Sequence, residues 1–283
     1  MRYVYLKDRG DRLGSHITWY VSSVIYAVIN NHHIKYVKER EKYGCNDSIF
    51  VMYLFNYIDE YNLSKGEIPK ENVLYENEIN RIEDYICNIY ETLICMKCDY
   101  MTYFKEHIFK NDYDKIDKLA IEKNYIIPFN TDKTILIHLR LDDVKDFAIY
   151  DSTNISEKFK LMIDNDSEFN TLPATIGQSP LNEDKIKGIV ENILSEHSDY
   201  EVLVVTSPNS THSLPYKTIC NTLPDYDLYL LSKCKIIIGS RSTFSFSSLL
   251  FGQHEKIYYP LWDHAVAYGL TTKFDKTKNV VIF

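Results

Sequence analysis

With 283 residues, the chain is long enough for two modest domains, and an apolar content of 45% is ordinary for a globular protein. A formal net charge of −8 argues against nucleic acid or an anionic membrane as the main partner, while leaving room for a local basic pocket. No run of the sequence is long enough to cross a bilayer, so no integral membrane segment is expected.

The opening Met-Arg-Tyr-Val-Tyr-Leu-Lys-Asp is too short and polar for a signal peptide, so the expected location is cytoplasmic unless a longer precursor is trimmed. Six cysteines are spread along the chain. Cys95 and Cys98 form C-x-x-C without a second pair, and buried free thiols are the better account of the set than a zinc site.

In chain order, residues 1–7 predict a first strand. A turn from Asp8 to Gly14 follows. Apolar residues from Ile17 to Val28 then recur at helical spacing, with Ser15 as the candidate N-cap. Ile34 to Val37 predicts a second strand. Residues 48–63 and 76–109 predict helices, and 112–124 a short charged one. The stretch from Asn124 to Lys133 contains Pro128 and little periodicity, which places a domain boundary there, with domains of 1–130 and 131–283.

From Thr134 onward, strands alternate with helices, the signature of a parallel sheet covered on both faces. Thr134 to His138 is the first strand of this half. A period of two puts His138 and Arg140 on one face near its C-terminal end. Residues 144–180 lack periodicity and read as a long substrate-binding or lid loop. Residues 181–197 form a helix, and 201–205 a core strand ending in the polar loop from Thr206 to Thr211. A helix over 225–233 follows, with Asp225 and Asp227 placed to cap or charge-complement its start. The β-branched run Ile236 to Ile238 is a buried strand. Gly239 permits an unusual turn, and Ser240, Ser242 and Thr243 open a helix over 242–252. Unpaired N–H groups, three hydroxyls and Arg241 at a positive dipole end would make a diphosphate cradle. A plain Ser/Thr-capped turn explains the same residues equally well. Strands at 256–261 and 279–283 complete the chain.

Three stretches carry a resemblance. Residues 227–252, Asp-Leu-Tyr-Leu-Leu-Ser-Lys-Cys-Lys-Ile-Ile-Ile-Gly-Ser-Arg-Ser-Thr-Phe-Ser-Phe-Ser-Ser-Leu-Leu-Phe-Gly, resemble the C-terminal motif of the fucosyltransferase-like glycosyltransferases. That family includes bacterial α-1,2 and α-1,6 enzymes and the protein O-fucosyltransferases. Residues 135–143 (Ile-Leu-Ile-His-Leu-Arg-Leu-Asp-Asp) resemble its His-x-Arg motif, with Leu141 where the family often carries a second arginine. Residues 10–27 resemble its N-terminal turn and helix, with Gly14-Ser15-His16 where the family carries Gly-Asn-Gln.

The resemblance implies a GT-B fold, two α/β domains facing a cleft: an acceptor-side domain followed by a nucleotide-sugar domain. It implies an inverting glycosyltransferase without metal or other cofactor, taking sugar from a nucleotide donor, most simply GDP-fucose, to an oligosaccharide or glycan acceptor. Arg140, Ser242, Thr243 and the N–H groups after Gly239 would hold the leaving diphosphate. Gly14, His138, Thr206, Ser207 and Ser240 would contact the nucleotide sugar, and Phe244 would pack on the base. Asp11, His16 and Asp143 are the candidate general bases. Three alternatives stay open. One is a UDP-sugar donor such as UDP-xylose. Another is a metal-dependent GT-A enzyme reading Asp225-Tyr226-Asp227 as its Asp-x-Asp. The last is a non-catalytic nucleotide- or glycan-binding module.

Overall fold

A computed structural model describes residues 3–7, 12–38, 45–65, 73–75, 100–141, 143–144, 179–221, 223–260 and 279–283. The chain divides into two compact units, Met1–Asn124 and Tyr125–Phe283. The division falls earlier than the expected boundary after residue 130. Each unit has the α/β architecture expected, with a parallel sheet of its own.

In the N-terminal unit, β1 (Tyr3–Lys7), β2 (His33–Lys38) and β3 (Val73–Tyr75) lie side by side in that order, all parallel. β3 lies outside the expected elements: three residues are too few to show an alternation. Helix α1 (Leu13–Ile29) makes the crossover from β1 to β2, and its Ile17, Val21, Val24 and Ile25 are fully buried. It starts earlier than predicted. Leu13 is buried, so the packed face extends one turn upstream of Ile17. Ser15 is therefore inside the helix and does not cap it. The N-cap is Arg12, with no side-chain cap bond, and Gly14 is helical. Helix α2 (Ile49–Ser64) starts one residue later than expected and is capped by Ser48, whose hydroxyl accepts from the Phe50 N–H at 3.2 Å.

Most of the helix expected over 76–109 lies outside the described residues. Its end is described as α3 (Tyr100–Tyr103), which loosens into a π-helical turn over Phe104–Phe109, and α4 (Tyr113–Glu122) follows.

Asn62 of α2 takes the place of a strand neighbour beside Ile34. Among the described residues, pairing between β2 and β3 begins at Tyr36, and Ile34 has no strand partner on that side. The fully buried Asn62 side chain takes the place of one. Its Oδ1 accepts from the Ile34 N–H at 3.1 Å, and its Nδ2 donates to the Ile34 carbonyl at 2.8 Å.

Among its described residues the C-terminal unit carries six strands: β4 (Thr134–His138), β5 (Glu201–Val205), β6 (Lys217–Ile219), β7 (Ile236–Ile238), β8 (Lys256–Tyr259) and β9 (Val280–Ile282). All are parallel, in the order β6-β5-β4-β7-β8-β9. The central pair, β4 and β7, reads Ile-Leu-Ile against Ile-Ile-Ile in register, buried throughout, as a strand covered on both faces must be. β6 is likewise outside the expected elements, because Lys217-Thr218-Ile219 is a short, largely exposed edge with no apolar run.

The helices are α5 (Glu183–Glu196), capped by Asn182, α6 (Pro224–Lys233) and α7 (Thr243–Phe251). At α6 the capping expectation fails. The N-cap is Leu223, without a cap bond, and Pro224 opens the helix. Asp225 instead accepts from the Tyr125 hydroxyl at 2.9 Å, and the buried Asp227 takes the amide of Asn221. Only their charge in the first turn suits the helix start.

The strand order has one reversal. The chain moves outward from β4 to β5 and β6, then returns through α6 to β7 on the other side of β4. In doubly wound sheets, the crevice at the C-terminal ends of the two strands flanking such a reversal is where ligands bind.

Asn62→Ala leaves two buried backbone groups of Ile34 without partners. It is expected to lower unfolding stability by ~2–4 kcal/mol in urea titration. A loss below about 0.5 kcal/mol would contradict the strand-mimic role of the side chain.

Candidate functional site

β4 delivers His138 and β7 delivers Gly239 to that crevice. The turn after β7 is tight. The Gly239 N–H donates to the Tyr258 carbonyl at 2.8 Å. A Cβ on residue 239 would lie 2.8 Å from Cδ2 of Tyr259 and 3.2 Å from Cβ of Ser245. Gly239 is thus required by close approach, which lets the start of α7 sit against the strand ends. The Ser242 hydroxyl oxygen accepts from the Phe244 N–H at 3.1 Å, capping α7, and keeps its own proton to donate. The Tyr259 hydroxyl ties the Ser242 carbonyl from below at 3.1 Å. Thr243 is the first residue of the helix and is half-buried. The expected strand–turn–helix is present, and its N-terminal N–H groups lie at the rim of the crevice.

His138 is buried and faces this turn. Its Nδ1 lies 2.6 Å from Ser245 Oγ and 2.9 Å from Ser240 Oγ, and its ring packs at 5.1 Å on the half-buried ring of Phe244. Burial, assisted by the positive charge of Arg140, pushes the His138 pKa down to about 3. The imidazole is therefore neutral at physiological pH and is not a cation for the diphosphate. Ser240, expected among the ligand-contacting hydroxyls, turns inward to His138. Ser245 is not among the expected site residues, because a third hydroxyl on the buried face of a helix carries no spacing signal.

Arg140 lies two residues beyond β4, in irregular chain rather than on the strand. It is pinned side-on by Asp143: Nε donates to Oδ1 at 3.1 Å and Nη2 to Oδ2 at 2.7 Å. Its Nη1 reaches the Arg241 carbonyl at 3.4 Å. The side chains of His138 and Arg140 thus both meet the turn after β7. Both carboxylate oxygens of Asp143 are thus held by the guanidinium of Arg140.

Arg241 does not belong to the cradle as the sequence suggested. It is 1% exposed, and its Nη1 donates to Ser179 Oγ at 2.8 Å and to the carbonyls of Ser179 and Pro180 at 3.2 and 3.4 Å. It turns inward, where it clamps the segment entering α5.

Thr206 and Ser207 follow the end of β5, beside His138 on β4. Thr206 is 2% exposed, and its Oγ1 is buried without a hydrogen-bond partner among the described residues. Ser207 Oγ pairs with Ser210 Oγ at 2.6 Å. The remaining candidates belong to the other unit. Gly14 and His16 are in α1, where His16 is buried with Nε2 2.8 Å from the Tyr20 hydroxyl. Asp11 lies outside the described residues, as do Cys95, Cys98 and most of the loop over 144–180. Asp225 and Asp227 sit in the first turn of α6 rather than at a strand end. Burial raises the Asp227 pKa to about 7 against the opposing pull of the Asn221 amide, so it is a poor standing charge for a cation. The described residues contain no group of three or more His, Cys, Asp or Glu placed to hold a metal ion. No helix among them is long and apolar enough to cross a membrane.

No protein-family model and no curated protein sequence matches the chain. Among solved structures, it is similar to POFUT1 in complex with GDP, with 12% identity and a TM-score of 0.45 over 90% of this chain and 97% of that one. It is also similar to the NodZ alpha-1,6-fucosyltransferase co-crystallized with GDP, with 12% identity and a TM-score of 0.35 over 90% of this chain and 93% of that one.

The two arginines separate by stability. Arg241→Met removes charge-assisted hydrogen bonds from a buried segment and is expected to cost ~2–4 kcal/mol. Arg140→Ala breaks a partly exposed pair and is expected to cost about 1 kcal/mol or less. Urea midpoints that reverse this order would overturn the assignment of Arg241 to the framework and Arg140 to the site.

Proposed function

We propose that the chain is an inverting glycosyltransferase that uses a nucleotide diphosphate sugar, with GDP-fucose as donor and a glycan hydroxyl as acceptor. The observation that carries the reading is the convergence, at the β4/β7 switch point, of Arg140 and the Ser242-capped start of α7. The resemblance of residues 135–143 and 227–252 to the fucosyltransferase-like motifs supports the same choice of reaction.

In the proposed reaction the acceptor hydroxyl oxygen attacks the anomeric carbon as the bond from that carbon to the β-phosphate oxygen breaks. The bonding electrons leave with the diphosphate, and the hydroxyl proton goes to a base. Charge therefore grows on the diphosphate in the transition state. A guanidinium, a hydroxyl proton and helix N–H groups fixed in advance are suited to stabilise it. Asp143 holds the Arg140 fork in one orientation, so little reorganisation is needed as charge develops. These groups fill the role a divalent cation plays in other glycosyltransferases, and on this reading the enzyme needs no metal. Neutral His138 does not add to the positive charge. Asp11, His16 and Asp143 are the candidates for that base that the sequence supplies.

Transfer from labelled GDP-fucose to a glycan mixture tests the reading. Transfer is expected to exceed that from UDP-xylose and to persist in excess EDTA. Arg140→Ala is expected to lower turnover roughly a hundredfold, about 3 kcal/mol of barrier, with Arg140→Lys recovering part because an ammonium lacks the planar fork. Preference for UDP-xylose would move the donor. Loss of activity in EDTA with recovery in manganese would favour the Asp-x-Asp alternative. Tight GDP binding with neither transfer nor donor hydrolysis would mean a binding module.

A further inference from the structure

The cluster at the end of β4 holds three polar side-chain atoms whose protons can be counted. His138 Nδ1 is 2.6 Å from Ser245 Oγ and 2.9 Å from Ser240 Oγ, and the two hydroxyl oxygens are 3.4 Å apart. The Ser240 backbone N–H also donates to Ser245 Oγ, at 3.0 Å. His138, Ser240 and Ser245 are 8%, 3% and 1% exposed, so their protons have to find acceptors inside the cluster.

Suppose Nδ1 carried the ring proton. Three protons would then share only the two hydroxyl oxygens as acceptors, and one buried hydroxyl proton would be left over. Suppose instead that Nδ1 is bare. Ser245 then accepts the Ser240 N–H and donates its own O–H to the single lone pair of Nδ1 across the short 2.6 Å contact, and the Ser240 hydroxyl donates to the second lone pair of Ser245 Oγ at 3.4 Å. Every proton has an acceptor, and the cost of an unmade buried bond is avoided. The doubly protonated ring is disfavoured by burial and by Arg140. The single ring proton therefore belongs on Nε2. That atom makes no hydrogen bond to any described residue, and His138 as a whole keeps 8% of its surface exposed.

We infer that Ser245, seconded by Ser240, is a positioning residue that fixes His138 as the Nε2–H tautomer, so that the ring offers a hydrogen-bond donor, and not a base, to a ligand oxygen in the β4/β7 crevice. The identity of that oxygen, on a nucleoside diphosphate, rests on the function proposed above. The tautomer does not. Ser245 sits in the first turn of α7, so the same turn that presents N–H groups at the rim also sets the direction of the histidine proton. Neutral and donor-only, His138 recognises an acceptor oxygen without adding charge, which leaves the electrostatics of the departing diphosphate to Arg140 and the helix.

The test is a long-range proton–nitrogen correlation spectrum of the ligand-free full chain, with the His138 signals assigned by their loss in His138→Gln. The expected pattern is that of the neutral Nε2–H ring, unchanged from about pH 8 to about pH 5, where an ordinary histidine titrates. Ser245→Ala is expected to shift the ring toward Nδ1–H or a mixture and to weaken GDP binding several-fold. Ser245→Thr, which keeps the hydroxyl, is expected to restore both. Should Ser245→Ala fail to fold, Ser240→Ala compared with Ser240→Thr reads the same network. An Nδ1–H ring in the wild type would overturn the inference, and so would an unchanged tautomer in the alanine variants. A wild-type protein that shows the Nε2–H ring but binds no GDP would sink the proposed function while leaving the positioning role in place.

Discussion

The parallel pairing of β4 with β7 is the contact on which the candidate site depends. It brings together two strands almost a hundred residues apart in the chain and sets Ile135, Leu136 and Ile137 against Ile236, Ile237 and Ile238. Both strands are buried, so the register is fixed by apolar packing on two faces at once. A slip of one residue would turn every side chain to the other face and carry His138 away from Ser240 and Ser245. The close approach at Gly239 completes the arrangement, because Tyr259 and Ser245 occupy the space where a side chain would be. The chemical consequences are local. Two residues after the end of β4, Arg140 reaches the turn after β7, and the start of α7 supplies the capped helix end beside it.

That geometry divides labour between two groups that sequence alone would treat alike. Arg140 and Arg241 are both arginines next to a strand end, and both look suited to phosphate. The difference is packing. Arg241 is the largest fully buried side chain among the described residues and spends its Nη1 on Ser179 and Pro180. Arg140 remains at the surface with Asp143, where an incoming anion can meet it. His138 is similarly settled by its surroundings. Burial holds it neutral, and the neighbouring hydroxyls decide which ring nitrogen carries the proton.

Much of this is legible in the sequence because the core strands announce themselves. Thr134 to His138, Glu201 to Val205 and Ile236 to Ile238 are apolar or β-branched runs bounded by turns, and each is a strand of the central sheet. The short edges, Val73–Tyr75 and Lys217–Ile219, are not legible, since three residues without an apolar run carry no period. The caps divide the same way. Ser242 caps as its residue type predicts, and Ser48, expected inside its helix, caps it as well, whereas Ser15 and Asp225 do not, because Leu13 and Pro224 begin their helices earlier. Within the site, residue types are readable and directions are not. The inward turn of Ser240 and Arg241, and the part played by Ser245, depend on which side of a buried helix end each side chain leaves.

The central claim is that a diphosphate sits at the C-terminal ends of β4 and β7, and a crystal structure of the chain with GDP tests it most directly. The account predicts diphosphate density at the start of α7, with phosphate oxygens at hydrogen-bonding distance from the Arg140 guanidinium, the Ser242 hydroxyl and backbone N–H groups of that first helical turn. GDP bound elsewhere, with Arg140 and the start of α7 untouched, would contradict it.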